Sequence, residues 1–153
     1  MSKVGGVVVI IKVMSRAQVM QFSFSEHHEI IAVISISDCD KDYPHLENNP
    51  YNDIVYKCKC HFDDVDDGED NCITYDDALK IASFVFSVKD KADLLIVHCE
   101  AGISRSAGVA AAIMKFIDDD DTPIFDDHHY RPNMTCYRKV LRKLFELCED
   151  CLP

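Results

Sequence analysis

The sequence lacks the surplus of basic residues that nucleic-acid-binding and membrane-surface proteins carry. Its 153 residues include 16 lysines and arginines against 27 aspartates and glutamates, which gives a formal net charge of −11. The summed field of such a chain repels nucleic acid, anionic lipid surfaces and polyphosphates. We therefore expect no nucleic-acid partner and no membrane partner, and any anion-binding site must be built by local structure.

Long hydrophobic runs are also missing. The apolar stretch from Val4 to Val13 is interrupted by Lys12 and is far shorter than the roughly 20 apolar residues that a membrane span needs. No small-residue cleavage pattern follows it, so a secretory signal is not expected. The stretch is instead predicted to contain the first β-strand, from Val7 to Val13.

The chain has no internal repeat and no low-complexity linker, and its length suits one domain over residues 1–153. It has eight cysteines, but a chain with 48% hydrophobic residues does not need disulfides to build a core. We expect a monomer with reduced thiols in the cytoplasm. Neither a metal nor a cofactor is expected, because the only thiol-rich or histidine-rich groups lie on a strand, a helix end or a loop. These groups are Cys58 with Cys60, Cys148 with Cys151, and His128 with His129.

Three segments of β-branched and apolar residues predict further strands: residues 30–36, 54–62 and 94–97. The last of these, Leu94 to Val97, has no polar alternation, as expected of a strand covered on both faces of a parallel sheet. It is predicted to be the central strand.

Three helices are predicted between and after these strands. Thr74 and the following acidic residues form a helix-start pattern, and the Ala-rich segment from Ser106 to Ile117 predicts a buried helix that ends at Asp118–Asp121. The last helix starts at Pro132-Asn133 and has an apolar face on one side and basic residues on the other. Alternating strands and helices predict an α/β fold with a mostly parallel central sheet and helices on both faces.

The loop between the central strand and the Ala-rich helix carries the candidate chemistry. It reads His98-Cys99-Glu100-Ala101-Gly102-Ile103-Ser104-Arg105-Ser106. Ligands of open α/β sheets bind where strands end and helices begin. Five residues between Cys99 and Arg105 are few enough for successive backbone N–H groups to converge on one anion, and Gly102 permits the turn. Residues 99–105, here called the cysteine loop, are therefore predicted to bind a phosphate group.

Two side chains and one helix end complete this prediction. The positive end of the helix that follows the loop attracts an oxyanion and stabilises a thiolate, which makes Cys99 a candidate nucleophile. Arg105 can hold two phosphate oxygens with its planar guanidinium, which lysine cannot do. The remaining loop residues are predicted to bind substrate through their backbone: Glu100, Ala101, Gly102, Ile103 and Ser104.

The pattern His-Cys-x-x-Gly-x-x-Arg-Ser resembles the signature of the protein tyrosine phosphatase superfamily, in particular its small dual-specificity branch. The resemblance implies that Cys99 attacks phosphorus to form a phosphocysteine, which water hydrolyses without a metal. It further implies that Ser106 hydrogen-bonds the departing thiolate and that His98 orients the loop from behind. Pro132-Asn133 also resembles the start of the last helix in this branch, where it caps the helix.

The resemblance also implies a general acid on a loop upstream of the nucleophile. The acidic loop, defined here as residues 63–73, offers many candidates after the third strand. Counting from Phe62, the strand register of related phosphatases favours Asp64, while a one-residue slip would favour Asp63, Asp66 or Asp67. Asp38, after the second strand, is expected at the same sheet edge, with a turn-forming role as its commoner explanation.

The sequence also suggests two alternatives to a phosphatase. A phosphate-binding module without turnover would have lost a nucleophile or an acid, and both are present. Rhodanese-like and arsenate-reductase-like chemistry fit the position of the loop and its His98 less well. If the protein is a phosphatase, one class of candidate substrates is proteins that carry phosphotyrosine, phosphoserine or phosphothreonine. The other class is non-protein phosphates such as phosphoinositides or an RNA 5′-triphosphate. The cysteine loop has no lysine, and Glu100 opposes polyphosphorylated ligands.

Overall fold

The computed structural model of the chain describes residues 8–21, 30–44, 46 and 54–150. Within them, four strands and five helices follow one another along the sequence. In chain order they are β1 (Ile10–Met14), α1 (Arg16–Met20), β2 (Ile31–Ser37), β3 (Ile54–His61), α2 (Tyr75–Val88), β4 (Leu94–His98), α3 (Arg105–Asp118), α4 (Thr122–Phe125) and α5 (Met134–Asp150).

The four strands form one parallel sheet in the order β1-β4-β2-β3. Strand β4 pairs with β1 on one side, with Leu95 opposite Ile11, and with β2 on the other, with Leu95 opposite Ala32. Every residue of β4 and β2 is buried. The predicted central position of residues 94–97 is therefore confirmed, and the uninterrupted apolar run reflects cover on both faces.

Helices cover both faces of the sheet, but they do so unequally. On one face, the main core joins Ile34, Cys60 and Leu95 to buried residues of α2, α3 and α5. On the other face, the smaller cluster around Val33 and Ile96 receives Val19 of α1. The predicted α/β architecture with a parallel sheet is confirmed, with three long helices on one side.

The predicted helix starts agree closely with the observed ones. Thr74 caps α2 because its hydroxyl accepts a hydrogen bond from Asp77 N, while the Asp77 carboxylate accepts one from Thr74 N. Helix α3 ends at Asp118, and Asp119 follows in a left-handed conformation with φ 54°. Not every large apolar residue of these helices is buried, since Leu79 of α2 is 40% exposed and Phe145 of α5 is 48% exposed.

Other features differ from the sequence-based prediction. Strand β1 begins at Ile10 rather than Val7, and Val4 to Val7 lie outside the described residues. Helices α1 and α4 were not predicted. Helix α1 has five residues and buries only Val19, so it offers no hydrophobic periodicity, although Ser15 and Gln18 form a capping box at its start.

Because all strands are parallel, their carboxyl ends meet at one edge of the sheet. Asp38 follows β2, the acidic loop follows β3 after Phe62, and the cysteine loop follows β4. This edge is where ligands of open α/β sheets bind. Among the described residues, no helix is both long and apolar enough to cross a membrane.

Candidate active site

The cysteine loop packs closely on the junction between β1 and α1. Gly102 has a φ of 70°, and a Cβ atom placed there would lie 2.6 Å from Ser15 N and 2.7 Å from Met14 C. Arg16 N also donates to Glu100 O at 3.0 Å. Glycine is thus required at this position both for its backbone conformation and for the close approach of the neighbouring backbone.

The Cys99 sulfur lies deep in the loop beside a hydroxyl group. Cys99 is 2% exposed, and its Sγ is 3.0 Å from Ser106 Oγ in the first turn of α3. Ser106 is completely buried, so its hydroxyl is held in place. A serine hydroxyl at this distance can donate a hydrogen bond to a thiolate, as the role assigned to Ser106 requires.

His98 supports the loop from inside the sheet. Its Nε2 is 2.6 Å from Ser35 Oγ of β2, and its Nδ1 is 3.3 Å from Cys99 O. The ring is fully buried, and burial lowers the pKa of His98 from its ordinary 6.5 to about 4. The imidazole is therefore neutral at neutral pH, which suits an orienting role rather than that of a general base.

Arg105 is held by one of its guanidinium nitrogens. Its Nη1 donates to Phe62 O at 2.8 Å and forms an ion pair with Asp38 Oδ1 at 2.7 Å. The residue is only 5% exposed, and its Nε is a buried donor with no acceptor among the described residues. A buried unsatisfied donor costs about 1–3 kcal/mol, and an oxygen of a bound phosphate would satisfy it. The geometry therefore fits a phosphate-binding arginine.

Asp38 begins a turn, as the sequence favoured, because Lys41 N donates to Asp38 O at 3.0 Å, and its carboxylate has a further contact in the site. Its Oδ1 orients Arg105, and its Oδ2 lies 3.5 Å from Lys41 Nζ. The ion pair is formed because β2 and β4 are neighbouring parallel strands, so Asp38 emerges next to the cysteine loop. The sequence indicated this proximity only through the position of Asp38 after the second strand, at the sheet edge that also carries the cysteine loop.

Asp64 contacts the cysteine loop directly. Its Oδ1 accepts hydrogen bonds from Ser104 Oγ at 2.7 Å and from Asn133 Nδ2 at 2.9 Å. No described residue donates to its Oδ2. One oxygen is thus used for positioning, and the other can carry the proton that a general acid needs.

The neighbouring carboxylates have other partners or none. Asp63 accepts hydrogen bonds from Cys39 N and from the Asn71 amide, and these bonds lower its pKa. Asp67 forms an ion pair with Lys139 at 3.0 Å, which lowers the pKa of Asp67 as well. The Asp66 side chain is exposed and forms no hydrogen bond or ion pair with a described residue. Of the four candidates, only Asp64 is hydrogen-bonded to the cysteine loop.

Asn133 joins three parts of the site, whereas the sequence indicated only a helix cap. Its side-chain oxygen accepts from Cys136 N and caps α5, while its Nδ2 donates to Asp64 and, at 3.1 Å, to Val65 O. Its backbone N–H also donates to Ser104 O at 2.9 Å. Asn133 therefore fixes the acidic loop relative to the cysteine loop.

The surroundings of the site are acidic. A cavity of about 450 Å³ lies beside the acidic loop and is lined by the carboxylates of Asp38, Asp40, Asp63 and Asp64 among other groups. Glu100 is exposed and lies 3.7 Å from Lys41 Nζ. A ligand with several negatively charged groups would meet these carboxylates.

The thiol pairs considered as zinc ligands are separated in the fold. Cys58 and Cys60 are buried in β3. Cys148 lies in the last helix, and Cys151 lies outside the described residues. Within the described ranges, no group of three or more potential ligands is arranged to hold a metal ion.

Comparison with solved structures places this arrangement in a known fold. Human DUSP28 superposes with a TM-score of 0.54 at 16% identity, covering 92% of this chain and 94% of that one. PTPMT1 in complex with PI(5)P gives 0.52 at 15% identity with 92% of each chain covered, and a second PTPMT1 structure gives 0.50 at 15% identity, covering 94% and 93%. These proteins are cysteine-based members of the protein tyrosine phosphatase superfamily. The chain has their fold.

This finding confirms the fold that the resemblance implied. No protein-family model and no curated protein matches the sequence. At such low identity, the shared fold alone does not assign a reaction to this chain. The function must therefore be argued from the side chains that the fold brings together.

Proposed function

We propose that the protein is a phosphatase that hydrolyses phosphate monoesters through a phosphocysteine on Cys99. The observation that carries the proposal is the contact between the two loops: Asp64 accepts a hydrogen bond from Ser104 of the cysteine loop. A candidate acid and a candidate nucleophile that lie 35 residues apart in sequence thus belong to one site.

In the first step, the Cys99 thiolate attacks phosphorus as the bond to the leaving oxygen breaks. The leaving oxygen takes the proton of Asp64, whose Oδ2 is not used in positioning. The loop N–H groups, the N-terminus of α3 and the guanidinium of Arg105 stabilise the charge on the transferred phosphoryl group. Asp38 and Phe62 O hold Arg105 in place for this contact.

In the second step, water attacks the phosphocysteine and gives its proton to the Asp64 carboxylate. The sulfur leaves as a thiolate, which accepts a hydrogen bond from Ser106 Oγ. Inorganic phosphate is released and no metal takes part. This chemistry needs a reduced Cys99, as in a cytoplasmic environment.

The acidic surroundings favour some substrates over others. We assign the site to phosphotyrosine, and to phosphoserine or phosphothreonine, in proteins. One structural neighbour binds PI(5)P. In this chain, however, four aspartates line the adjacent cavity and Glu100 lies at the loop, so polyanionic phosphoinositides and RNA 5′-triphosphates should react more slowly.

The test is a turnover panel of the full chain on a phosphotyrosine peptide, a phosphothreonine peptide, a phosphoinositide and an RNA 5′-triphosphate. We expect turnover of the peptides, inhibition by vanadate and complete loss in Cys99→Ser. Cys136→Ser is the matched control, because Cys136 is also a buried thiol near the loops but has no role in the reaction. Phosphate binding without turnover of any substrate would instead favour a binding module.

A further inference from the structure

A second cavity, lined mainly by cationic side chains, lies outside the cysteine loop. It has a volume of about 270 Å³ and lies between the start of α2 and the first half of α5. We call it the Tyr75 pocket. The residues that line it are Asp67, Tyr75, Thr135, Arg138, Lys139 and Arg142. None of them belongs to the cysteine loop.

Several cations converge on the ring of Tyr75. Lys139 Nζ lies 5.0 Å from the ring centroid, Lys143 Nζ 5.3 Å and the Arg142 guanidinium 5.5 Å. Arg142 Nη1 also lies 3.4 Å from the Tyr75 hydroxyl. Cation–π attraction offsets part of the repulsion between these like charges.

Carboxylates neutralise this group only in part. Arg142 and Lys143 share Glu146, and Lys139 pairs with Asp67. Arg138, the fourth cation, forms no ion pair with any residue that the structure describes. Four cations against two carboxylates leave a local surplus of two positive charges. In a chain of net charge −11, such a surplus is a specific local feature.

We propose that the Tyr75 pocket binds a tetrahedral oxyanion of the phosphate type. Arg138 and Arg142 present planar guanidinium groups, which suit bidentate contacts with phosphate oxygens. Lys139 supplies a partly buried ammonium group, with its side chain 11% exposed, and Tyr75 supplies a hydroxyl. The negative charge of the ligand balances the positive charge that Asp67 and Glu146 do not neutralise.

The pocket is also connected to the acidic loop. Lys139 Nζ holds Asp67 at 3.0 Å and donates to Ile73 O at 2.8 Å, so it ties two points of the loop that carries Asp64 to α5. An anion in the pocket competes with Asp67 for Lys139. Occupancy therefore loosens the acidic loop and slows proton transfer from Asp64. This regulatory part rests on the proposed phosphatase function, whereas binding does not.

Binding is tested by titrating the isotope-labelled full chain with sodium sulfate and following backbone amide NMR signals. We expect saturable shifts at Tyr75 and residues 138–143 that are lost in the Arg138→Gln/Arg142→Gln double variant. Lys91→Gln, which removes an exposed cation beyond the opposite end of α2, should leave them intact. Shifts confined to residues 99–106, or equal shifts with sodium chloride at matched ionic strength, would overturn the proposal.

A second titration identifies the source of the oxyanion. In the full-length Cys99→Ser protein, inorganic phosphate and a phosphoserine peptide are compared by the same signals. Stronger shifts with inorganic phosphate indicate a free ion, and stronger shifts with the peptide indicate a phosphoprotein segment. If neither ligand shifts Tyr75 and residues 138–143, the pocket does not bind phosphate.

Regulation is tested by kinetics in sulfate. Sulfate in the active site raises KM and leaves kcat unchanged, whereas sulfate in the Tyr75 pocket lowers kcat. We expect a several-fold fall in kcat for the wild-type chain and none for the double variant. A change in KM alone would contradict the coupling. Absence of turnover in every variant would contradict the phosphatase proposal while the NMR result still decides binding.

Discussion

Asp64 and Asp66 lie two residues apart, and their different contacts give the sharpest comparison at the scale of single residues. Asp64 accepts hydrogen bonds from Ser104 and Asn133, while the Asp66 carboxylate is exposed and forms no hydrogen bond or ion pair with a described residue. Both changes to asparagine remove one negative charge from the same loop. A difference in turnover between the two variants is therefore due to the position of the carboxylate and not to the change in net charge.

Asp64→Asn should lower turnover on an aryl phosphate with a poor leaving group by about 10²-fold or more, the usual contribution of a general acid. It should also flatten one limb of the pH–rate profile, since no group then donates the proton. Asp66→Asn should keep both the rate and the profile. The measurement is kcat against pH for the three proteins. A loss of turnover and of one pH limb in Asp66→Asn, with neither lost in Asp64→Asn, would instead identify Asp66 as the general acid.

The buried ring of His98 leads to a prediction about how the stability of the fold depends on pH, rather than about catalysis. Its pKa is about 4 in the folded chain, below its ordinary 6.5, because the ring is buried. Between these pH values the unfolded chain takes up a proton and the folded chain does not. The stability that neutral His98 contributes is thus fully present above pH 6.5 and falls by up to about 1.4 kcal/mol per pH unit below it.

The free energy of unfolding in urea should therefore show a narrowing gap between wild type and His98→Gln as pH falls from 7 to about 4.5. Ile34→Val, which changes a buried residue of β2 and no titratable group, serves as the control and should keep a constant gap. A constant gap for His98→Gln would show that His98 takes up its proton equally in both states.

At the scale of elements, the close approach of α3 and α5 positions the acid. A Cβ atom at Gly108 in α3 would lie 2.4 Å from Asn133 O and 3.2 Å from Cys136 Cβ. The backbone carbonyl cannot move without shifting the start of α5. Because Asn133 holds Asp64, this helix contact determines where the acid lies.

Gly108→Ala should destabilise the chain by about 1–3 kcal/mol, as overpacking does, and should lower turnover because Asn133 moves. Gly68→Ala is a useful comparison. Gly68 has a φ of 86° but open space around it, so only backbone strain of about 1–2 kcal/mol is expected. Urea unfolding and kcat should be measured for both. Full activity in Gly108→Ala would contradict the role of this contact.

The elements also show which parts of the structure a sequence can predict. Strand β4 was predictable because a strand covered on both faces of a sheet is apolar at every position. Helix α3 was predictable because a helix that is buried nearly all round is apolar on all sides. Helix α1 was not predictable, because a helix of five residues with one buried side chain shows no hydrophobic periodicity. Contacts between distant segments, such as Lys139 with Asp67, depend on tertiary positions that local patterns do not encode. For Asp38 and Arg105, the strand pattern predicted a shared sheet edge but not the ion pair.

At the scale of the whole molecule, a chain with net charge −11 has five of its 16 lysines and arginines at two defined places. Arg105 is buried at the sheet edge, and four cations of α5 gather at or near the Tyr75 pocket. The cysteine loop adds backbone N–H groups and a helix N-terminus, which attract anions without any net charge. An acidic protein can thus bind phosphate where its fold provides local donors.

The central claim is the phosphocysteine on Cys99, and trapping it is the most direct test. The chain is mixed with a phosphotyrosine peptide, quenched in acid within milliseconds, digested and analysed by mass spectrometry. Ser106→Ala should increase the trapped fraction, because it removes the hydrogen bond to the departing thiolate and slows hydrolysis. We predict one added phosphoryl group on the peptide that contains Cys99. Turnover with no phosphoryl group there, or with one on another residue, would contradict the account.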